Sequence, residues 1–411
     1  MTAILPPNQL VGADIAVPCA DGRMRRYVNL DYAASTPVMG AVWQAVEAFV
    51  PFYSSVHRGT GAKSRISTDA YEKARGSVAR FVGAPDGSVV FVRNTTEAIN
   101  VLAAALPPGT KVLSSPVEHH ANMLPWREHD LRLLPFPESP EQLLADAERM
   151  LDGVDVLAVT GASNVTGEVW PLRELAALAH AHGAELFVDA AQLAPHRAID
   201  MVATGIDHLA LSGHKLYAPF GAGALVSRKA LTGSPLLRGG GAIKLVTVDD
   251  VIWADAPDRF EAGSPNVIGA VALAAACDAL DMAEVEAEER ILAARLHAGL
   301  ATIDGLTPYA LWPGHPDRVG VASFNLAGYK HCQLAELLSD RYAIGVRHGC
   351  FCAHPLLTRL LCVPDAEAQR LHDELRAGKD PELPGAVRAS LGLGTTAEDI
   401  DALIAALTEL S

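Results

Sequence analysis

The sequence predicts an α/β fold built around a largely parallel β-sheet. From about residue 40 to about residue 235, short apolar runs bounded by turn residues alternate with stretches of helical periodicity. Alternation at this spacing is typical of a parallel sheet that helices cover on both faces. The predicted strands are Val89–Val92, Lys111–Leu113, Val154–Val159, Glu185–Val188 and His208–Leu211, and the predicted helices are Thr96–Leu106, Pro140–Asp152 and Leu172–His182.

A smaller α+β part is predicted to follow this sheet. The stretch Val267–Ile303, rich in Ala, Leu and Glu, indicates one or two helices that link the two parts. The polar segment Pro364–Pro384 indicates an exposed loop or a short helical insertion. The remaining predicted elements are strands near Val319–Leu326 and Ala343–Arg347 and a closing helix, Ala397–Leu410, opened by Thr395 or Thr396.

Charge, hydropathy and cysteine content exclude several classes of protein. The 411-residue chain has a formal net charge of −15, which argues against nucleic-acid binding because that needs a basic face. No uncharged apolar run reaches the roughly 18 residues that span a bilayer, so no membrane span is expected. Met1–Pro7 lacks the basic and apolar regions of a secretory signal, and six cysteines are too few for a disulfide scaffold. We therefore expect a cytoplasmic protein.

The segment Leu211–Leu216 carries the strongest chemical signal. An apolar run stops at a Ser-Gly-His turn, and Lys215 follows directly. A lysine at the end of a buried strand is poorly hydrated, which lowers its pKa and makes it a nucleophile toward an aldehyde, although a surface lysine is the simpler interpretation. A second apolar strand ends in Asp189, 26 positions upstream. Pyridoxal 5'-phosphate (PLP) needs both groups, a lysine to bond its aldehyde and a carboxylate to keep its ring nitrogen protonated.

A phosphate site is predicted where the strand Val89–Val92 runs into the helix Thr96–Leu106. Asn94 followed by Glu97 resembles a capping box, which places the free amides of a helix N-terminus at a strand end. Polar residues also follow other strands, where α/β sheets collect their ligands. An imidazole can stack on a flat ring, and Asn or Gln can hydrogen-bond a ring hydroxyl, although each residue alone is typical of an ordinary loop. These residues are Glu118–His120, Ser163–Gly167 and Gln192.

The segment Arg347–Pro355 permits three interpretations. A buried structural cysteine pair is the simplest. The second is a metal site in which alternating side chains share one strand face, namely His348, Cys350, Cys352 and His354. However, one strand cannot surround an ion tetrahedrally, and zinc sites usually space their cysteines by turns. The third is a nucleophilic cysteine on a loop, with nearby imidazoles that help to form its thiolate.

Together these motifs resemble those of the class V aminotransferase family of fold-type I PLP enzymes, with the greatest similarity to group II cysteine desulfurases and selenocysteine lyases. The resemblance runs over nearly the whole chain. The residues that carry it are Leu30–Ala34, Val56–Gly59, Asn94–Asn100, Glu118–Asn122 with Pro125 and Trp126, Ser163 and Asn164, Asp189–Gln192, Ser212–Tyr217, Arg259–Asn266 and Arg388–Leu391.

The resemblance implies a role for each matching polar residue. Lys215 would bond the cofactor, His119 would stack on its ring, and Cys352 would accept sulfur as the third catalytic residue. Asp189 would pair with the pyridine nitrogen, and Gln192 would contact the phenolic oxygen. Three further roles are implied. The phosphate would be bound by Thr95, Thr96, Ser212 and His214. Asn164 would contact cofactor and substrate, and Arg388 would bind the substrate carboxylate.

The resemblance also implies an architecture. A large PLP-binding domain, residues 28–285, would contain a mostly parallel seven-stranded sheet flanked by helices. A smaller α+β domain would combine residues 1–27 with residues 286–411. In this family the loop that contains Ser264 reaches the phosphate of the neighbouring subunit, so we expect a homodimer with composite active sites.

The implied activity is that of a cysteine desulfurase. The enzyme would convert L-cysteine to L-alanine and leave a persulfide on Cys352 for transfer to a possible acceptor protein, and no metal is expected. One alternative is another class V reaction, such as that of a selenocysteine lyase, C–S lyase, epimerase or transaminase. A non-catalytic sulfur-transfer protein is the other alternative, and it fits poorly with the presence of both Lys215 and Asp189.

Two features depart from the family pattern. Phe351 stands where the family usually has a histidine directly before the catalytic cysteine, and the string Gly-Cys-Phe-Cys also resembles molybdenum-cofactor sulfurases. The mostly polar segment between Cys352 and Arg388 is longer than the family's compact version. Cys350 could take the persulfide onward, trap it as a disulfide, or be part of the core. These departures concern the substrate and the destination of sulfur rather than the cofactor.

Overall fold

The computed structural model describes residues 9–411, so Met1–Asn8, which include the segment considered for a secretory signal, lie outside the described residues. In chain order the strands are β1 Ala16–Pro18, β2 Met24–Arg26, β3 Val28–Asn29, β4 Ser88–Val92, β5 Lys111–Ser114, β6 Asp130–Leu133, β7 Val156–Thr160, β8 Glu185–Asp189, β9 His208–Ser212, β10 Gly223–Ser227, β11 Ile243–Val246, β12 Val251–Trp253, β13 Leu306–Tyr309, β14 Val321–Leu326, β15 Ile344–Gly345, β16 Arg347–Gly349 and β17 Ala386–Ser390. The helices are α1 Gly40–Phe49, α2 Ala62–Phe81, α3 Thr95–Ala105, α4 Pro140–Met150, α5 Leu172–Ala181, α6 Met201–Thr204, α7 Val267–Ala279, α8 Met282–Leu300, α9 His331–Tyr342, α10 His354–Leu360, α11 Asp365–Arg376 and α12 Ala397–Leu410.

Seven strands form the central sheet in the order β4-β10-β9-β8-β7-β5-β6. The pairs from β9 to β6 are parallel, whereas β10 is antiparallel to both of its neighbours. Every residue of β7, β9 and β10 is buried, as expected for strands covered on both faces. The prediction of a mostly parallel, helix-flanked seven-stranded sheet is therefore confirmed.

The two faces of the sheet pack into different cores. Along β7, Leu157 and Val159 join the core that contains α4 and α5, while Val156 and Ala158 join the core that contains α3. This alternation is the period of two that a strand imposes on its side chains. No helix in residues 9–411 is long and apolar enough to cross a membrane.

A second, antiparallel sheet in the order β13-β14-β17-β16 follows the central sheet along the chain. It packs with α8, α9 and α12 into a separate core that includes Leu296, Phe324, Leu338, Val387 and Leu403. The division of the chain into residues 28–285 and the two flanking segments stays a prediction.

Some predicted elements differ from the observed ones in this region. The single strand predicted at Ala343–Arg347 is wrong, because two short strands occur there: β15 pairs with β3, and β16 pairs with β17. The stretch Val267–Ile303 forms two helices, separated where Asp281 caps α8 through the amides of Ala283 and Glu284. The polar insertion contains a helix, α11, and Thr396 opens α12 with a capping box to Asp399.

The N-terminus of α3 lies at the end of β4, where the sequence predicts a phosphate site. The Asn94 side chain accepts the Glu97 amide at 3.0 Å, as in the predicted capping box. The return bond differs, because the Glu97 carboxylate accepts the amide of Arg93 at 2.5 Å. The helix begins at Thr95, one residue earlier than predicted. Its first turn therefore faces the same edge of the sheet as the ends of β8 and β9.

Candidate active site

A cavity of about 320 Å³ opens at the carboxyl ends of the parallel strands, where open α/β sheets bind their ligands. It brings together side chains from α3, from the loops after β5, β7 and β8, from the turn after β9, and from the segment after β16. The sequence-predicted site residues that line it are Thr95, Thr96, His119, Asn164, Asp189, Gln192, Ser212, His214, Lys215, Cys352 and Arg388. The roles assigned to these residues stay predictions.

Lys215 ends the short 3₁₀ turn Gly213–Lys215 that directly follows β9. Burial in the cavity wall lowers the pKa of this lysine to about 8, and Arg388 adds to the shift while Asp189 opposes it. With that pKa, roughly a tenth of the amine is neutral at pH 7, against a negligible fraction for an ordinary lysine. The structure therefore provides an amine that can react as a nucleophile.

Asp189 is the last residue of β8 and is only 5% exposed. Burial raises the pKa of its carboxyl, while the hydrogen bond from the Ala191 amide, at 2.9 Å, and the charge of Lys215 act in the opposite direction. Gln192 lies three residues further on and donates to the Ala33 carbonyl at 2.7 Å. Its Oε1 atom is buried without a hydrogen-bond partner, although the residue lines the cavity. Such an orphaned acceptor indicates that a bound group supplies the missing donor.

The ring of His119 forms a wall of the cavity, and its protonation state is well defined. Its Nδ1 atom accepts the Ala121 amide at 3.0 Å, so the ring proton is on Nε2. Burial, followed by the positive charge of Lys215, lowers the pKa of His119 to about 4. The ring is therefore a neutral, flat surface at physiological pH, as needed for stacking on an aromatic ligand.

Hydroxyl groups line the cavity at the N-terminus of α3. The Ser212 hydroxyl accepts the Thr95 amide at 2.8 Å and lies 2.9 Å from the Thr95 hydroxyl. Thr96 is exposed in the first turn, and its amide has no partner within the helix. Hydroxyls and amides at the positive end of a helix dipole form a suitable site for a phosphate group.

Arg388, on β17, also lines the cavity and is only 3% exposed. It donates to the Asn164 carbonyl at 2.9 Å and contacts the Asp31 carboxylate at 3.5 Å, while its Nε atom is buried without a partner. Burial lowers its pKa to about 10, so the guanidinium remains charged at neutral pH. A buried cation with an unsatisfied donor is suited to a carboxylate ligand.

Cys352 lies in a tight turn with two successive left-handed residues. The Ala353 amide donates to the Cys350 carbonyl at 3.0 Å, and φ is +54° at Phe351 and +55° at Cys352. These values are those of a type I′ turn, which normally takes Asn and Gly. For non-glycine residues this backbone conformation costs about 1–3 kcal/mol each, so other contacts must maintain it.

Three contacts with other parts of the chain hold this turn. Asn164 donates its side-chain amide to the Phe351 carbonyl at 2.7 Å, and the backbone amide of His120 donates to the Cys352 carbonyl at 2.7 Å. The Phe351 ring is buried, and the guanidinium carbon of Arg388 lies 5.0 Å from its centre. The turn thus presents the exposed Cys352 thiol to the cavity in a fixed position.

One histidine near the turn, His354, interacts with the other cysteine of the segment, and the idea that imidazoles help to form the Cys352 thiolate stays a prediction. Interaction with His354 lowers the pKa of the Cys350 thiol, and Cys350 in turn raises the pKa of His354. The alternating residues do not share one strand face, because β16 ends at Gly349 and the backbone turns immediately afterwards. Within residues 9–411, no group of three or more His, Cys, Asp or Glu side chains is arranged to hold a metal ion.

Ser264 is the one predicted site residue outside this cavity. It lines a broader cleft of about 810 Å³ together with His57, Arg58 and Lys244. In a single chain it therefore does not contact the site that contains Lys215.

The structure also adds residues that the sequence analysis left without a role. Asp31 binds Arg347 at 2.8 Å and contacts Arg388, and Arg347 itself lines the cavity. No sequence spacing could reveal this pair, because 316 positions separate its members. Glu118 is fully buried beneath the site, and burial raises its pKa to about 8, so it is protonated at neutral pH. A charged residue at the end of an apolar run was the available signal for Glu118.

The mostly parallel sheet brings Asp189 and Lys215 to the ends of two adjacent strands. Comparison with known families identifies the class of protein that has this arrangement. Residues 28–403 match the family Aminotransferase class-V, and the chain belongs to this family. The resemblance derived from the motifs is thus confirmed.

The curated relatives are similar over nearly their full length. A protein described as cysteine desulfurase from Dickeya dadantii is 36% identical, with 98% of this chain and 96% of that protein covered. A probable cysteine desulfurase from Halobacterium salinarum is 35% identical, with 93% of this chain and 91% of that protein covered.

Solved structures agree with the fold. The apo structure of a cysteine desulfurase from Thermococcus onnurineus has a TM-score of 0.82 and 31% identity, and covers 93% of this chain and 94% of its own. The S-sulfonic acid form of an Escherichia coli cysteine desulfurase has a TM-score of 0.76 and 31% identity, with coverage of 93% and 95%.

Proposed function

We propose that this chain is a PLP-dependent cysteine desulfurase. It converts L-cysteine to L-alanine and retains the sulfur as a persulfide on Cys352. The observation that carries the proposal is the convergence of Lys215, the Arg388 guanidinium and the Cys352 thiol on one cavity. A lysine and an aspartate alone would fit many PLP reactions, whereas an exposed thiol held in the same cavity fits sulfur transfer.

The residues present fit PLP as the cofactor. The orphaned Oε1 of Gln192 matches a ring hydroxyl, the neutral His119 ring matches the pyridine face, and the hydroxyls of Thr95 and Ser212 match the phosphate. Asp189, as a carboxylate, matches a protonated ring nitrogen, and such a partner removes the unfavourable burial of its charge. When bound there, PLP acts as an electron sink for the bonds around the substrate Cα atom.

The chain's own residues would then orient the substrate and move its proton and sulfur. Arg388 binds the substrate carboxylate through its unsatisfied Nε–H, which fixes the amino acid relative to the other groups. The Lys215 amine, with its pKa of about 8, takes the Cα proton and returns a proton. The Cys352 thiolate attacks the substrate sulfur, a new S–S bond forms, and the C–S bond breaks. The sum is L-cysteine plus thiol giving L-alanine plus persulfide.

The test is product formation from L-cysteine by the purified, PLP-loaded protein with a thiol reductant present. Wild type should release alanine and sulfide in equal amounts. Lys215→Ala should abolish both products and the visible absorbance of bound PLP. Cys352→Ala should keep that absorbance but lose most turnover. Cys362→Ala is the matched control, because Cys362 is also exposed and has a positive φ of +51° but lies outside the cavity.

A panel of other amino acids separates the competing class V reactions. Selenocysteine, alanine and several non-sulfur amino acids are tested with the same protein for lyase, epimerase and transaminase products. If Cys352→Ala retains full desulfurase turnover, or if another amino acid is turned over much faster than L-cysteine, the proposal is wrong.

We further propose a homodimer in which Ser264 completes the partner's phosphate site. The supporting observation is that Ser264 lies outside its own chain's cavity. Ser264→Ala should weaken PLP binding. In a hybrid dimer of one Lys215→Ala subunit and one Ser264→Ala subunit, the remaining functional site should bind PLP with wild-type affinity. Weak binding in the hybrid would contradict the composite site.

A further inference from the structure

A second cysteine, Cys350, begins the turn that contains Cys352, and the stacked rings of His354 and His120 lie at the end of that turn. We propose that Cys350 is a second sulfur carrier, which takes the persulfide sulfur from Cys352 and so lets each subunit hold two sulfur atoms. This proposal rests on the desulfurase function proposed above. It gives a role to the Cys350 thiol and to the imidazole pair of His354 and His120, which take no part in the reaction at Cys352.

The contacts of Cys350 are those of an activated nucleophile. Its sulfur is half-buried, and both the His354 side chain and the backbone amide of Cys352 lower the pKa of the thiol. The interaction with His354 favours the charged pair, since it lowers the pKa of the thiol and raises that of the imidazole. A thiol beside an imidazole that is oriented by a third group is the general arrangement for nucleophilic catalysis.

His120 supplies that third group. Its Nε2 atom lies 3.2 Å from both the Nδ1 atom and the backbone amide of His354, and the two rings stack at 4.9 Å. Nε2 of His120 therefore accepts hydrogen bonds from the backbone amide and Nδ1 of His354, which leaves Nε2 of His354 for the sulfur. The backbone amide of His120 also binds the Cys352 carbonyl at 2.7 Å, so one residue fixes both the imidazole and the turn.

The turn brings the two sulfur positions within reach of each other. Cys350 and Ala353 are its first and last residues, and Cys352 occupies its third position. The hydrogen bond that closes the turn, from the Ala353 amide to the Cys350 carbonyl at 3.0 Å, fixes the backbone between the two cysteines. Rotation of the Cys352 side chain about Cα–Cβ then moves a persulfide between the substrate cavity and Cys350.

The transfer step is balanced without any added oxidant or reductant. The Cys350 thiolate attacks the outer sulfur of the Cys352 persulfide, and an S–S bond forms on Cys350 while the S–S bond to Cys352 breaks. The electron pair of the broken bond leaves with Cys352, which becomes a thiolate, and the proton of the persulfide stays on the transferred sulfur. Cys352 is then free to accept sulfur from a second L-cysteine.

The decisive experiment counts products in the absence of any reductant or acceptor. Holoenzyme is mixed with excess L-cysteine, and the burst of alanine, free sulfide and protein-bound sulfane sulfur is measured per subunit. The proposal expects two alanines, two sulfane sulfurs and no free sulfide for wild type and for the control Cys362→Ser. It expects one alanine and one sulfane sulfur for Cys350→Ser.

Each other outcome overturns the proposal in a distinct way. One alanine and one sulfane sulfur from wild type mean that Cys350 takes no sulfur. One alanine with one free sulfide means that Cys350 attacks the inner sulfur and forms a Cys350–Cys352 disulfide instead. No alanine at all means that the desulfurase function itself is wrong.

A second measurement examines the activation of Cys350 without turnover. In the Cys352→Ser background, iodoacetamide labelling of Cys350 at pH 7 is followed by mass spectrometry. Replacing His354 with Asn should slow that labelling about tenfold or more while labelling of Cys362 stays unchanged. Equal rates with and without the imidazole would show that His354 does not activate the thiol.

Discussion

Replacing Arg388 with Gln should damage recognition of the substrate carboxylate far more than it damages the fold. Gln keeps a polar side chain of moderate length but loses the charge and the fork of N–H donors. The free Nε–H and the weakly engaged Nη2, 3.5 Å from Asp31, are the two donors available to a carboxylate. Hydrogen bonds to charged groups contribute about 1.5–3 kcal/mol each, so two of them near the lower limit give about 3–4 kcal/mol. The expected loss in kcat/KM for L-cysteine is therefore roughly 10²- to 10³-fold.

The assay compares L-cysteine with its methyl ester, which lacks the carboxylate charge. Wild type should prefer L-cysteine by a factor close to that loss, and Arg388→Gln should show little preference. Arg347→Gln is the matched control, because Arg347 lines the same cavity but is exposed and already paired with Asp31. It should change the preference less than tenfold. If Arg388→Gln retains the wild-type preference, Arg388 does not bind the substrate carboxylate.

Three further predictions concern proton binding and stability. The rate of PLP binding to the cofactor-free protein should rise with pH up to about 8 and level off above it, because the neutral form of Lys215 reacts and its pKa is lowered. A binding rate, measured by stopped-flow absorbance, that still rises near pH 10.5, the ordinary lysine value, would contradict this. Phe351→Ala should lower the free energy of unfolding by about 3 kcal/mol in urea titrations, because a buried ring is lost, and Phe351→Gly should lower it less, because glycine tolerates positive φ. The pKa of buried Glu289 is below its ordinary 4.5, because His196 and Arg197 together outweigh the effect of burial. The carboxylate therefore stabilises the fold fully above pH 4.5, and this stabilisation is lost as pH falls through the lowered pKa. Glu289→Gln should flatten the acid limb of a Tm-against-pH curve, and an unchanged limb would refute this.

Periodicity was enough to predict the elements that build the sheet. Strands such as β7, with the sequence Val-Leu-Ala-Val-Thr, are nearly uninterrupted apolar runs because parallel strands are buried on both faces, so their pattern is strong. Strand β10 was not predicted, since it begins at Gly223 and follows Gly221, so its start has the composition of a loop. It is also the antiparallel strand of the sheet, which the alternation of strands and helices does not indicate.

The cavity could be predicted where its residues follow strands, and not where they depend on distant contacts. Asp189 ends one apolar run and Lys215 follows another after a short turn, so their meeting follows from the geometry of a parallel sheet. The partnership of Asp31 with Arg388 joins the two ends of the chain and has no local signature. His354 interacts with Cys350 because of a turn with two positive φ values. Phe351 has no preference for a positive φ, so its residue type did not indicate this turn.

The left-handed turn at Phe351 and Cys352 also determines whether the entropic cost of ordering the nucleophile falls on folding or on catalysis. A thiol on a freely moving loop would lose conformational freedom each time it approached a substrate, and that loss would add to the barrier of every turnover. Here Asn164, His120 and the stacked Arg388 immobilise the turn when the protein folds. The entropic cost of ordering the nucleophile is therefore met once, by the free energy of folding. In each catalytic cycle only rotation about a single side-chain bond remains.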